Sequence, residues 1–458
     1  MSIIDTAEKR SALIVFTLSS FLTPFMGSAV NIALPELGNE FQIDAVVLSW
    51  IATAYLLAAA MFLVPFGRLA DIYGRKRIYS IGIATYTIAS FLAGISTSTA
   101  TMLTFRVLQG IGAAMIFGTG VAILVSVFPA SDRGKVLGIS VAAVYAGLSG
   151  GPFIGGLMTE YLGWRSVFIA NVPIGILILI AVFWRLKGDW AEAKGEKFDK
   201  VGSVVYSISL VLLMYGFSRL PETLGFALIA GGILGVVVFV LYEMRVDSPV
   251  FNMNLFRHSR TFTFSNLAAL INYSATFAVT FLLSLYLQYI KGMGPDTAGV
   301  ILVSRPALMT ATSIFAGRLS DRVEPRLVAS VGMGVVVVGL SMLIFLDGTS
   351  SIAFIIASQL VLGLGFGLFS SPNTNAIMGA VERRFYGVAA GTAGTMRLLG
   401  QMFSMGIATL IFAVYIGRVQ ITPEYHDVFI KSVRVAFIVF SALCFGGIFA
   451  SLARGKMR

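Results

Sequence analysis

The chain has 458 residues, of which 57% are hydrophobic and only 12% are charged, whereas about 25% of the residues in ordinary soluble domains are charged. A soluble core cannot hide this excess, and charge-free runs of about 20 residues are long enough to cross a bilayer as helices. The formal net charge of +11 comes from short basic clusters between apolar runs, which excludes a continuous nucleic-acid-binding face. We therefore predict an all-α polytopic membrane protein that binds no nucleic acid.

Charge clusters and Gly, Pro, Asn and Asp turns divide the chain into fourteen predicted transmembrane helices. The first run follows Lys9 and Arg10 as in a signal peptide, but it is too long for one and is interpreted as the first span. An even number of spans places both termini on one side. The predicted spans are residues 12–35, 45–66, 78–96, 100–127, 134–159, 166–186, 201–218, 224–242, 262–290, 297–316, 327–346, 351–379, 387–415 and 430–452.

The distribution of Lys and Arg predicts which side that is. With a cytoplasmic N-terminus, the inner segments hold 24 of these residues and the outer segments hold 6. Because basic residues are enriched in cytoplasmic loops, we predict a multi-pass plasma membrane protein with both termini in the cytoplasm. The single cysteine, Cys444, excludes an intrachain disulfide and a thiol metal site, and we expect no metal and no cofactor.

Two similar segments indicate an internal repeat. GRLADIYGRKR begins at Gly67 and GRLSDRVEPR begins at Gly317, 250 residues further along. A six-helix half is shorter than this offset, and the hydrophilic stretch LKGDWAEAKGEKFDK with the two spans after it fills the difference. We predict an N-terminal six-helix bundle (1–187), a linker with two additional transmembrane helices (188–259) and a C-terminal six-helix bundle (260–458). Transporters built from two such halves bind substrate between them.

The segment GRLADIYGRKR, and with it essentially the whole chain, resembles the major facilitator superfamily, which carries this signature between helices 2 and 3. Gly67 lets two helix ends approach closely, and Asp71 can accept from Arg75 or from amides at a helix N-terminus. The resemblance implies a gating latch formed by Gly67, Asp71, Gly74 and Arg75, with Asp321 in the second copy, which lacks the second glycine. The alternative is a fixed tight turn anchored by basic residues.

The segment RVLQGIGAAM places Arg106 and Gln109 on one face of the fourth helix. A cation at this depth costs about 3 kcal/mol unless it faces a cavity or a partner. Arg106 resembles the helix 4 arginine that the superfamily links to proton coupling. A structural arginine that reaches towards the interface is the alternative.

The segment GLSGGPFIGG, residues 147–156, carries small residues at a spacing of four along one helix face, together with a proline that removes a backbone hydrogen bond. It resembles the helix 5 signature associated with antiporters, which favours export. A packing seam explains the glycines equally well. The residues concerned are Gly147, Gly151, Pro152, Gly155 and Gly156.

The segments SSPNTNAIMGAVERR (370–384) and GTMRLLGQ (394–401), with the two inserted helices, resemble the 14-helix drug:proton antiporter branch. Asn373 and Asn375 offer uncharged polar contacts for substrate, and hydrogen bonds between helices are equally compatible. Arg305 and Arg397 are interior cations of the second half.

The first helix lacks the acid that is usual in this branch, because Met26 stands nine residues before the proline of NIALP. Ser28 and Asn31 leave a neutral polar wall there. Glu36 and Glu160 are the nearest acids, at predicted outer helix ends, where solvated anchors are common. A cavity with Arg106, Arg305 and Arg397 and no deep carboxylate disfavours cations and favours neutral or anionic amphiphiles.

Enzymatic chemistry is not expected, because His258 and His426 lie in loops on opposite predicted faces and no HExxH or GxSxG pattern is present. A membrane sensor is disfavoured since no soluble segment is long enough for an output domain. We predict a monomeric secondary transporter that works by alternating access, with protons as coupling ion and small amphiphilic compounds as exported substrates. The alternative is a uniporter or exchanger of anionic or neutral metabolites without proton coupling.

Overall fold

The computed structural model describes residues 7–129, 133–186, 188–246, 249–251, 253–320, 322–382 and 386–455. Within these residues the chain is helical and has no β-strand. A short helix, Met253–His258, precedes the second half. The long helices, some of them interrupted, are α1 Ala7–Phe41, α2 Ala45–Tyr73, α3 Arg75–Gly94, α4 Thr99–Val127, α5 Arg133–Leu162, α6 Trp164–Arg185, α7 Lys200–Ser218, α8 Thr223–Glu243, α9 Arg260–Ile290, α10 Pro295–Ser320, α11 Pro325–Ile344, α12 Ile352–Gly379, α13 Tyr386–Tyr415 and α14 Pro423–Ala453.

These helices confirm the prediction of an all-α membrane protein, and their number is roughly consistent with the fourteen predicted spans. Thirteen of the described helices are long and apolar enough to cross a membrane. The other one, α3, has 20 residues and begins with Arg75, Lys76 and Arg77, which lower its mean hydropathy. Several helices run past the predicted spans, as α2 does in continuing to Tyr73, because a helix extends beyond its apolar stretch into the polar interface.

The packing of the helices repeats every eight elements. In the first half, α1 packs along α5, α4 packs along both α2 and α3, and α3 packs along α6. In the second half, α9 packs along α13, α12 packs along both α10 and α11, and α11 packs along α14. The inserted helices α7 and α8 pack on each other, and α7 also contacts α2 and α13. The exact boundaries of the three-part division remain a prediction.

Equivalent glycines allow close helix crossings in both halves. A Cβ on Gly110 of α4 would lie 2.4 Å from the Tyr55 carbonyl oxygen of α2, and a Cβ on Gly363 of α12 would lie 2.4 Å from the Arg305 carbonyl oxygen of α10. No side chain fits at either point without moving a backbone. Small residues that allow such approach are the usual basis of helix packing in lipid, where apolar burial between helices contributes little.

The two halves touch at one end of the bundle and separate at the other. We call the end that contains the loop of residues 67–77 the basic face, and the opposite end the sealed face. At the sealed face, Ser284 Oγ of α9 donates to the Asn31 carbonyl oxygen of α1 at 2.8 Å. Ser49 of α2 and Thr409 of α13 share a hydrogen bond of 2.8 Å between their hydroxyls.

Backbone contact between α5 and α10 completes the seal. A Cβ on Gly156 would lie 2.4 Å from the Pro295 carbonyl oxygen, and a Cβ on Gly299 would lie 2.2 Å from the Pro152 carbonyl oxygen. The two helices therefore meet through reciprocal glycine-to-carbonyl contacts. Any larger residue at either glycine pushes the halves apart at this face.

We predict that Gly156→Val opens the sealed face. In a Cys444→Ser, Ser284→Cys background, an impermeant thiol reagent added from the sealed face should label the introduced thiol slowly, because position 284 is buried. Adding Gly156→Val should raise the labelling rate at least tenfold. Gly446→Val is the matched control, since a Cβ on Gly446 meets no atom within 4 Å. Equal labelling with and without Gly156→Val would contradict the proposed seal.

Candidate functional site: a cavity between the two halves

A cavity opens between the halves at the basic face. Its wide part has a volume of about 490 Å³ and lies between α2, α4, α13 and residues 249–251. A deeper pocket of about 60 Å³ adjoins it and reaches α1, α5, α9 and α12. Phe117, Arg397 and Leu398 line both parts. We call the wide part the entrance and the deeper part the central pocket.

Aromatic and neutral polar groups dominate the central pocket. Thr23 and Gln401 are its uncharged polar side chains outside the tyrosines. Arg397 is its one charged side chain, and no carboxylate lines it, among the residues that the structure describes. Such a mixture of rings and few polar groups is typical of sites for small organic molecules. The aromatic residues are Tyr55, Phe117, Tyr145, Tyr273, Phe277 and Phe366.

Arg397 presents a positive charge to this pocket. Its guanidinium carbon lies 5.7 Å from the ring centroid of Phe117, within the range of a cation–π contact. None of the ion pairs between described residues includes Arg397. The side chain is half-buried, so its charge is only partly solvated. The neutral pocket therefore has an electropositive end.

The structure places Arg106 inside the first half and not among the residues that line the cavity. The side chain is 1% exposed. Its Nε donates to the Ile51 carbonyl oxygen at 2.8 Å, another nitrogen donates to Gln109, and its guanidinium lies 4.5 Å from the ring centroid of Tyr55. Gln109 in turn donates to Ser90 Oγ at 2.8 Å. These contacts join α4 to α2 and α3.

Arg305 is also buried outside the cavity lining. Its Nη1 donates at 2.9 Å to the carbonyl oxygen of Thr276, where α9 is interrupted. Of the three arginines expected to line the cavity, Arg397 does so and the other two do not. The reason is that Arg106 and Arg305 point at backbone carbonyls within their own halves, which the helical face alone does not reveal. Their predicted roles in coupling remain predictions.

The predicted latch lies where α2 ends and α3 begins. Asp71 Oδ1 accepts from Arg75 Nε at 2.7 Å, a contact that the sequence predicted as one option. Gly67 lies against α4, with a hypothetical Cβ 3.7 Å from a backbone oxygen. Gly74 has a φ of 111°, and a Cβ there would lie 2.2 Å from Asp189 Oδ2. Asp321 of the second copy lies outside the described residues.

An acidic linker strap, residues 188–196, holds this loop. Glu192 accepts from Arg75 Nη1 at 2.7 Å and from Nη2 at 2.9 Å. Asp189 accepts at 3.0 Å from a backbone N–H at the start of α3, where a negative charge is favourable. The Arg75 side chain is 8% exposed, so two carboxylates share one nearly buried cation. The latch thus binds the strap in this state.

Sequence reasoning missed the strap. The segment DWAEAKGE carries the acids Asp189, Glu192 and Glu196, and the distant segment GRLADIYGRKR carries four basic residues. Glu196 pairs with Arg68. These opposite charges in two separate segments were the signal from which the contact between the strap and the loop could have been predicted. It also missed a contact at the sealed face, where Glu40 accepts from Arg165 Nη1 at 2.8 Å and from the Trp164 indole at 2.7 Å.

The glycines of α5 divide into two sets. Gly147, Gly151 and Gly155 face α1, where hypothetical Cβ atoms would lie 2.4 to 2.7 Å from Phe21, Ser28 and Ala29. This face is a packing seam, as in the alternative interpretation. Pro152 and Gly156 instead face α10 across the sealed face, as described above. Their association with antiport remains a prediction.

The other predicted polar residues lie outside the cavity lining. Asn373 Nδ2 donates to the Ser265 carbonyl oxygen at 3.2 Å, and Asn375 Nδ2 donates to Ser320 Oγ at 2.8 Å. Both are hydrogen bonds between helices. Asn31 is buried at the contact between α1 and α9.

Glu36 and Glu160 are at the sealed face. Glu160 Oε2 would lie 2.7 Å from a Cβ on Gly294, at the start of α10. Glu36 is half-buried near the end of α1. Neither side chain lines the central pocket. A coupling role for either acid therefore remains a prediction without a contact to the pocket.

Comparison with known families decides the classification. The sequence profile of the Major Facilitator Superfamily matches residues 16–269 and 265–456. The chain belongs to this superfamily. Among curated members, it is 28% identical to the riboflavin transporter RibZ of Clostridioides difficile (strain 630) over 96% of both chains. It is 30% identical to the cephamycin export protein CmcT of Amycolatopsis lactamdurans, over 93% of this chain and 90% of that protein.

Further similarities agree with this membership. The multidrug resistance protein Stp of Mycobacterium tuberculosis (strain H37Rv) is 28% identical over 90% of this chain and 77% of that protein. A bacterial homolog of the human lysosomal transporter Spinster, solved in an inward-facing and unoccupied conformation, matches with a TM-score of 0.71 and 14% identity. That match covers 98% of this chain and 97% of the other. At this identity the likeness supports the superfamily fold alone.

We predict that Asp71→Asn strongly lowers the efflux rate, whereas the protein still folds and loses only part of its thermal stability. The substitution leaves Arg75 only one carboxylate, and hydrogen bonds to charged groups contribute about 1.5–3 kcal/mol. Glu192→Gln should lower stability by less, because Glu192 is 66% exposed and exposed ion pairs contribute about 1 kcal/mol or less. Thermal melting and efflux of a fluorescent amphiphile from vesicles measure both effects.

The matched control is Asp427→Asn, which removes an exposed carboxylate at the start of α14. It should leave efflux unchanged and lower stability only slightly, because a negative charge in the first turn of a helix is mildly favourable. Normal folding and unchanged efflux in Asp71→Asn would contradict the gating latch and support the fixed tight turn.

Proposed function

We propose that this protein is a secondary active transporter that exports small amphiphilic compounds by alternating access, coupled to protons. The observation that carries the proposal is a cavity between two similar halves that is open at one end and sealed at the other. Movement of the halves about the cavity would expose it to each side in turn. The proposal includes a monomer in the plasma membrane, with the basic face in the cytoplasm.

The orientation rests on charge. The basic face carries Arg68, Arg75, Lys76 and Arg77 together with the arginines at the equivalent loop of the second half. Enrichment of basic residues in cytoplasmic loops supports a cytoplasmic position for this face. The cavity would then accept its substrate from the cytoplasm, which suits export.

The names of two relatives support export. One is a cephamycin export protein and another is a multidrug resistance protein. The riboflavin transporter is similar to the same degree in sequence, so the names of the relatives do not point to one substrate. The small-residue face of α5 is compatible with an antiporter, and we assign proton coupling on that resemblance.

A second candidate function is uniport or exchange of anionic or neutral metabolites without protons. The composition of the central pocket favours it, since Arg397 is unpaired among described residues and no acid lines the pocket. A pocket without a carboxylate offers no obvious group that exchanges a proton for a substrate. It also repels cationic substrates.

We predict that reconstituted protein moves protons when a neutral amphiphile or an organic anion is added, and responds least to a lipophilic cation. Proton flux in liposomes that contain only this protein measures coupling and charge preference together. Substrate-dependent flux supports antiport. Substrate movement without proton flux would contradict antiport and support uniport or exchange.

Arg397→Gln should lower the apparent affinity for the anion about tenfold to a hundredfold. The reason is that a hydrogen bond to a charged group contributes about 1.5–3 kcal/mol. It should leave the neutral amphiphile nearly unchanged. Arg418→Gln is the control, since Arg418 is exposed at the sealed end of α13. Equal effects of both variants would exclude Arg397 as the source of charge preference.

A further inference from the structure

Two acidic side chains meet where the inserted helices reach the basic face. Asp199 is the N-cap residue of α7, and Glu243 is the last residue of α8. Asp199 is 9% exposed and Glu243 is 2% exposed. Acidic residues are rarely this buried unless they are paired, and neither residue belongs to the cavity or to the latch.

Each carboxylate uses one oxygen in hydrogen bonds with its surroundings. Asp199 Oδ1 accepts from the Gly202 N–H at 2.9 Å and from the Tyr242 hydroxyl at 3.3 Å. Glu243 Oε2 accepts from the Phe251 N–H at 2.8 Å. These contacts fix the direction of both side chains.

The other two oxygens face each other over Gly202. Asp199 Oδ2 and Glu243 Oε1 are buried and have no hydrogen-bond partner among the described residues. They lie 2.2 Å and 2.5 Å, respectively, from the point that a Cβ on Gly202 would occupy. The missing side chain of Gly202 therefore leaves the space in which the two oxygens approach.

No described basic residue neutralises this pair. None of the ion pairs between described residues includes Asp199 or Glu243. The basic residues nearest in sequence, Lys197, Lys200 and Arg245, are exposed to solvent. Tyr242 is the other titratable group that contacts the pair, and its hydroxyl is a neutral donor.

Two buried, unneutralised carboxylates that face each other cannot both be ionised without a large electrostatic cost. A proton held between them removes one charge and satisfies both orphaned oxygens through an O–H···O bond. We infer that Asp199 and Glu243 form a proton-binding site on the inserted helices, separate from the central pocket.

The site is linked to the cavity through one hydrogen bond. Glu243 binds the backbone N–H of Phe251, and residues 249–251 line the cavity entrance. Loss of the shared proton leaves two negative charges in contact, which disfavours the position of Glu243 that holds Phe251. Binding or loss of the proton is therefore expected to change the position of residues 249–251 in the entrance wall. This inference concerns proton binding and does not depend on the proposed transport activity.

Infrared spectroscopy of the full chain in liposomes tests the site directly. The wild-type protein should show a carboxylic acid C=O band at neutral pH that disappears on alkaline titration. Asp199→Asn and Glu243→Gln should each lose this band, because removing one partner removes the shared proton. Glu222→Gln is the matched control at the other end of α8, where Glu222 is exposed and lies 3.6 Å from Arg219.

A band of equal intensity in Glu243→Gln, Asp199→Asn and Glu222→Gln would overturn the inference. Thermal melting provides a second readout. A proton bound only in the folded state stabilises it at low pH, and this stabilisation is lost as pH rises. Wild-type stability should therefore fall towards alkaline pH, whereas the double variant Asp199→Asn, Glu243→Gln should show a smaller fall. Identical pH dependence in both proteins would also contradict the site.

Discussion

Direct backbone contact between α5 and α10 is the constraint on which the shape of the cavity depends. Gly156 and Gly299 each bring a helix against a carbonyl oxygen of the other half, and hydrogen bonds between α9 and α1 and between α2 and α13 close the same end. Apolar burial contributes little to helix association in lipid, so close packing of backbones is an effective way to stabilise the closed end. The opposite end, which lacks this contact, opens into the entrance.

The arrangement of charged groups also differs between the basic face and the central pocket. At the basic face, charged groups pair within the first half and its strap, so that Arg75 satisfies Asp71 and Glu192 together. In the central pocket, the positive charge of Arg397 has an aromatic ring beside it and no described acid as an ion partner. Paired charges at the mouth and an unpaired cation within are compatible with a site that selects substrates by charge. Buried acids are found instead on the inserted helices, at Asp199 and Glu243.

The sequence could predict features that depend on local pattern. Apolar run lengths predicted the helices, the recurrence of GRL with an acid indicated the repeat, and the loop signature predicted the contact of Asp71 with Arg75 as one of two options. Contacts between distant segments were not predictable in this way. A helical face showed that Arg106 is interior but not that it bonds to the Ile51 carbonyl oxygen. The pairing of Glu192 with Arg75 likewise depends on how the linker folds back.

Alternating access requires that the halves exchange contact at the sealed face for contact at the basic face. Spin labels at Tyr73 and Leu327 report the distance across the basic face, and labels at Tyr161 and Phe345 report it across the sealed face; all four side chains are exposed. We expect substrate and a proton gradient to produce a second population in which the first distance is shorter and the second is longer. Distances that stay single, or that change independently at the two faces, would contradict alternating access in this protein.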